Sequence, residues 1–171
     1  MRATLHLAPG KDKAVMRRHP WLFSGAVRRV EGNPQEGDLV DVVAADGRWL
    51  AVGHYQSDSI ICKVLSFDTQ QVDETFYRER LQSAIAYRER MGFFDTEETN
   101  VFRLVHAEGD FMPGLVCDWY NGVLVMQAHS VGMHRLFPMF TQLFVDLLGR
   151  HGIKSVFDKS SSTVPGGCED G

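Results

Sequence analysis

Leu115-Val116-Cys117-Asp118-Trp119-Tyr120-Asn121-Gly122-Val123-Leu124-Val125-Met126-Gln127-Ala128 is the stretch on which the fold of this chain turns. Two β-rich runs, Gly114 to Tyr120 and Val123 to Ser130, flank the dipeptide Asn121-Gly122. A two-residue type I′ turn needs positive φ at both central positions, and Asn-Gly is the pair that accepts it most readily. The stretch therefore reads as a hairpin. Upstream, Phe102 to Ala107 reads as a further strand turned by Gly109-Asp110, and Met112-Pro113-Gly114 reads as a shaped turn. Downstream, Leu136, Phe137, Phe140, Leu143, Phe144, Leu147 and Leu148 recur at helical spacing and predict an amphipathic helix from about His134 to Arg150. Gly152 ends it, and Ile153 to Lys159 returns as a strand. Strand, strand, strand, helix, strand is the order of a small α+β domain, placed at 101–171.

Toward the N-terminus, Phe93 to Asn100, with Asp95, Glu97 and Glu98, reads as a polar connector and is the expected domain boundary. Before it Asp73 can cap a helix, Glu74 lies in its first turn and Gly92 stops it. Tyr77, Leu81, Ala84, Ile85 and Arg88 fall on one stripe of that helix, so 71–100 reads as helix plus linker. The first 68 residues are short strands broken by turn chemistry. Ala3 to Ala8 alternates with Leu5 and Leu7 on one face, Gly37 to Ala44 and Trp49 to Tyr55 flank Asp46-Gly47, and Ile60 to Phe67 follows. Lys11 to Arg18 is a short basic helical turn that stops ahead of Pro20, because the residue before proline disfavours the helical region. Strands so closely spaced predict a small β-barrel over 1–70. The fold class is α+β.

The composition bounds the function. The 171 residues carry 18 Lys+Arg against 22 Asp+Glu, a net charge of -4, with 44% hydrophobic and 23% charged residues. These are ordinary values for a globular chain of one domain or two small ones. The charge is unevenly spread. Residues 1–30 hold seven basic groups and a single acid, Asp12, for a net +6, which leaves -10 on the remainder. Such asymmetry suggests an anionic partner at the basic end. No window approaches 18 uncharged apolar residues, so no membrane span is expected. The N-terminus has no apolar core or small-residue cleavage site of a signal peptide. Cys62, Cys117 and Cys168 are odd in number and far apart, which fits a reducing cytoplasm and argues against both disulfides and zinc. Cys62 and Cys117 read as buried structural thiols and Cys168 as an exposed tail residue. No metal site is expected.

Arg17-Arg18-His19-Pro20-Trp21-Leu22-Phe23 mixes cations with aromatics. Cations hold nucleic acid through its phosphates, and aromatic faces stack on unpaired bases. The arginines read equally as phosphate ligands or as a solvated helix end, and Trp21 and Phe23 as core residues of a strand. Arg28-Arg29 adds a second basic pair. His106, Glu108 and Asp110 surround a strand end, and Asp118 lies on the next strand. They read as a solvated hairpin rim or as the wall of a substrate cleft able to supply a base. No glycine-rich phosphate or dinucleotide loop occurs, and no complete catalytic site is visible.

Arg17-Arg18-His19-Pro20-Trp21-Leu22-Phe23-Ser24-Gly25-Ala26-Val27 resembles the bacterial class I 23S rRNA cytosine-C5 methyltransferase family. The likeness continues through Gly47-Arg48-Trp49-Leu50-Ala51-Val52-Gly53-His54-Tyr55 and Phe102-Arg103-Leu104-Val105-His106-Ala107-Glu108-Gly109-Asp110. It extends to Pro113-Gly114-Leu115-Val116-Cys117-Asp118-Trp119-Tyr120 and Val156-Phe157-Asp158-Lys159-Ser160, nearly the whole chain. The resemblance implies an N-terminal PUA domain that binds RNA, a central domain, and a C-terminal domain that binds S-adenosylmethionine and carries catalysis. The chain ends about where that third domain would begin. The Gly166-Gly167-Cys168-Glu169-Asp170-Gly171 ending, with no closing helix or strand, points to a piece of a longer methyltransferase rather than a natural short protein.

The expected function is the RNA-recognising portion of an rRNA methyltransferase, inactive without the missing domain. No cofactor is expected on this chain, S-adenosylmethionine being expected for the full-length protein. Arg17, Arg18, Arg28 and Arg29 are the expected phosphate ligands, with His19 and Lys63 added; Glu108, Asp110 and Asp118 would wall the substrate cleft, and no catalytic residue is assigned. The partner is large-subunit rRNA and the location cytoplasmic. A free-standing RNA-binding module and a non-RNA adaptor are the alternatives. Phe137, Phe140 and Phe144 would bury against their own sheet, the missing domain, or a second copy in a homodimer.

Overall fold

The computed structural model describes residues 2–166 and Gly171, so Cys168 lies outside the described residues. The chain divides into two units, Met1–Val72 and Asp73–Gly171.

The first unit runs β1 (Ala3–Leu7), α1 (Lys13–Met16), β2 (Trp21–Phe23), β3 (Val27–Glu31), β4 (Leu39–Val43), β5 (Trp49–Tyr55) and β6 (Ile60–Ser66). These strands form one sheet in the order β2-β6-β5-β4-β1-β3. The β1–β4 pair is parallel and the other neighbours are antiparallel. The two edge strands, β2 and β3, are consecutive in the chain and joined by a single 3-10 turn, Ser24–Ala26. Three residues reach at most about 10 Å, so the edges must approach each other and the sheet curls into a half-barrel. The alternation expected of half-buried strands fills its interior. Leu5 and Leu7, Val40 and Val42, and Cys62 and Val64 point inward with Leu22, and Val15 of α1 joins the same core. Gly53 marks the closest approach of two strands. A β-carbon there would lie 2.2 Å from the Lys63 carbonyl oxygen, where the β5–β6 register shifts.

The second unit runs α2 (Glu74–Arg90), β7 (Val101–His106), β8 (Leu115–Tyr120), β9 (Val123–Ala128), α3 (Val131–His134), α4 (Phe137–Leu148) and β10 (Ser155–Asp158). Its sheet order is β10-β9-β8-β7, with β9 and β10 parallel across the helical crossover. Asn121 and Gly122 take φ of 48° and 94°, the paired positive values that the hairpin reading requires. Asp73 caps α2 through the Phe76 amide at 3.0 Å. The stripe Tyr77, Leu81, Ala84, Ile85 and Arg88 is its buried face. Phe137, Phe140 and Phe144 are buried within this unit, Phe140 meeting Tyr77 edge to face at 5.4 Å, so they offer no surface to a second copy.

Two features differ from expectation. The helix read from about His134 to Arg150 is α4 and begins only at Phe137, with Pro138 in its first turn, the position its ring favours, and the four-residue α3 and a short turn precede it. Residues 93–100, expected as a boundary, lie inside the second unit. The reason is aromatic. Phe93 stacks on Phe102 at 5.3 Å, and Phe94 meets Phe102, Trp119 and the His151 ring at 4.9, 5.7 and 3.8 Å. Two anchored phenylalanines hold a segment whose remaining residues are polar.

Candidate nucleic-acid interface

The α1–β2 turn and the outer face of β2 carry the first set of candidates. Helix α1 ends at Met16 with Arg17 as its C-cap, and Arg18 takes a left-handed φ of 59°, which turns the chain toward His19-Pro20 and into β2. In a three-residue strand only the middle side chain shares the core side, and Leu22 is that residue, 2% exposed. Trp21 and Phe23 therefore face outward: Trp21 is half-buried and Phe23 is 49% exposed. This corrects the expectation that both are core residues. The His19 ring lies 6.1 Å from Trp21 and 6.3 Å from Phe23, and its Nδ1 accepts from the Trp21 amide at 3.1 Å. Lys63 is the cross-strand partner of Trp21 and shares its face. Three rings and Lys63 thus line the outside of one edge.

The arginines separate into two kinds. Arg17 and Arg28 are exposed and form no side-chain hydrogen bond or ion pair among the described residues. Arg18 is held by Asp68 through both guanidinium nitrogens, one of them at 2.9 Å, and lies over the Phe67 ring at 5.6 Å. Arg29 is held by Glu31 at 2.9 Å and by His6 at 3.0 Å, where β1 and β3 bring His6 opposite Arg29. Sequence reading missed Asp68, because the pair joins residues 50 apart with no local pattern.

The second set does not form one cluster. Asp110 accepts from both Arg88 terminal nitrogens at 2.5 and 2.8 Å and from the His106 amide at 2.6 Å, with both ion-pair side chains about nine-tenths buried. Asp118 is paired with Arg103 at 2.9 and 3.1 Å and lines a separate open cleft of about 500 Å³ with Tyr120, Val125, Gln127, Phe157 and Lys159. Glu108 lies half-buried in the 3-10 turn Ala107–Asp110. Each aspartate is thus engaged by its own arginine. Cys62 and Cys117 are buried free thiols, and burial pushes both pKa values up, suppressing the thiolate a nucleophile needs. Among the described residues no three His, Cys, Asp or Glu side chains gather as a metal site, and no helix is long and apolar enough to cross a membrane.

An adenosyl cofactor in an α/β fold needs a tight glycine-rich turn from a strand into a helix, so that backbone amides approach the ligand. The β9-to-β10 crossover does not fit that demand. It enters α3 through Ser130, whose hydroxyl accepts from the Met133 amide at 3.3 Å, and α4 through Leu136 and Pro138.

Residues 5–67 match the family model of a PUA-like domain. The ribosomal RNA large subunit methyltransferase I of Vibrio vulnificus (strain YJ016) is 43% identical over 133 residues, covering 77% of this chain and 33% of the relative. Its counterpart from Tolumonas auensis is 39% identical over 150 residues, covering 84% and 37%. A solved structure described as a SAM-dependent methyltransferase from Streptococcus mutans superposes with a TM-score of 0.79 at 14% identity, over 94% of this chain and 41% of that one. That likeness is one of fold. The chain spans about a third of the length of the curated relatives it matches.

Proposed function

We propose that this chain is the RNA-recognising portion of an S-adenosylmethionine-dependent rRNA methyltransferase. In this reading its PUA-like unit holds large-subunit rRNA along the α1–β2 turn and the outer face of β2. The observation that carries the reading is the outward set His19, Trp21 and Phe23 beside Lys63 and the unpaired Arg17. Rings open to solvent on a strand offer π-faces to unpaired bases, while nearby cations meet the phosphates. The match of residues 5–67 to a PUA-like domain and the likeness to large-subunit rRNA methyltransferases support it.

Within this proposal, methyl transfer belongs to the portion of those relatives that the chain does not span, where S-adenosylmethionine would supply the methyl group. Cytosine C5 is the proposed target, and the chain alone transfers no methyl group. Its own residues bind and orient the RNA.

Phe23 gives a clean test, because a side chain 49% exposed can be truncated with little effect on the core. Fluorescence anisotropy of a labelled 23S rRNA fragment should show Phe23→Ala binding about fivefold or more weaker than the wild type, in the range of a single base stack. Equal affinity for the two proteins would overturn the assignment of this face.

A further inference from the structure

The turn that follows β7 asks for glycine and carries phenylalanine. Phe111 has φ of 57° and Ala107 φ of 41°, both in the left-handed region that residues with a β-carbon avoid. The turn needs this geometry, because it sends the next residue, Met112, fully into the core while the Met112 amide donates to the Ala107 carbonyl at 2.9 Å. Burial does not account for the ring at Phe111, which is 65% exposed.

The surroundings of that ring are built. Arg88 and Asp110 lock the turn from below with their two-pronged pair, and Arg88 Nε also donates to the Arg103 carbonyl at 3.0 Å. The Arg80 guanidinium lies 5.1 Å from the Phe111 ring and 5.1 Å from the Phe76 ring. Tyr87, itself 49% exposed, sits under Arg90 at 6.0 Å. Tyr87, Arg90, His106 and Phe111 line one open concavity of about 380 Å³. Asp110 is paired with Arg88, and the exposed Arg90 supplies a cation beside the rings of this surface. Exposed rings flanked by guanidiniums match a nucleotide, with a π-face for the base and positive charge for the phosphate.

We infer that Phe111, with Tyr87, Arg80 and Arg90, forms a second RNA-contacting surface, on the unit after the PUA-like one, that stacks an unpaired base. The inference rests on the RNA reading proposed above. A strained residue kept at an exposed position is accounted for by what it touches in a complex.

The test uses Phe111→Gly and Phe111→Asn, both of which accept the left-handed conformation, and Phe111→Trp as the conservative variant. Anisotropy titrations of the 171-residue chain with a single-stranded rRNA fragment are run beside Phe23→Ala. The expected result is a loss of about fivefold or more in affinity for the Gly and Asn variants, with Tm equal to or above that of the wild type and near-full binding by Phe111→Trp. Wild-type affinity in the Gly and Asn variants, with Phe23→Ala still weakened, would overturn this surface and leave the first intact. No salt-sensitive binding by the wild type would overturn both. Sedimentation showing that Phe111→Gly abolishes self-association without changing RNA affinity would assign the ring to a protein contact and overturn the inference.

Discussion

Arg18 and Arg29 already have carboxylates, and that changes what a cationic residue in the sequence means. A phosphate reaching Arg18 must displace Asp68, whose two oxygens occupy the fork that a phosphate would take. Arg17 and Arg28 present no such competition. The prediction at this scale concerns Asp68. Asp68→Asn should raise affinity for an rRNA fragment by less than about fivefold, because an exposed pair holds its partners weakly. Substituting an exposed acid that pairs with no arginine among the described residues, such as Glu97, should leave affinity unchanged. If the two substitutions act alike, the effect is one of net charge and the Asp68 pairing is not engaged in binding.

Among the elements, those with a complete local signal were legible. Asn121-Gly122 specified its hairpin because only a few residues tolerate two successive positive φ values, and the Tyr77-to-Arg88 stripe became the buried face of α2. Trp21 and Phe23 were misread because a three-residue strand is too short for its period to reveal which side faces the core. Residues 93–100 carried the composition of a linker, yet Phe93 and Phe94 anchor them through rings on β7, on β8 and at His151, neighbours that no local pattern encodes. Asp110, expected at the rim of a substrate cleft, ties the 3-10 turn to α2 through Arg88. Removing one partner of a buried pair strands the other charge, so Asp110→Asn should cost about 3 kcal/mol. Urea unfolding should report this as a lower midpoint with an unchanged slope. A loss below about 1 kcal/mol would mean that the pair does not hold the turn.

For the whole molecule, the basic first 30 residues belong to the PUA-like unit, and the acidic remainder extends over both units. Binding to RNA would therefore be driven from the basic end and weakened by salt, in proportion to the phosphates that the free arginines neutralise. The most direct test is the slope of log affinity against log salt for a large-subunit rRNA fragment, compared between the wild type and Arg17→Ala/Arg28→Ala. The account predicts a steep negative slope for the wild type and a slope shallower by about 1.4 to 1.8 in the double variant, since each arginine neutralises one phosphate. Identical slopes in the two proteins, or wild-type binding indifferent to salt, would contradict it.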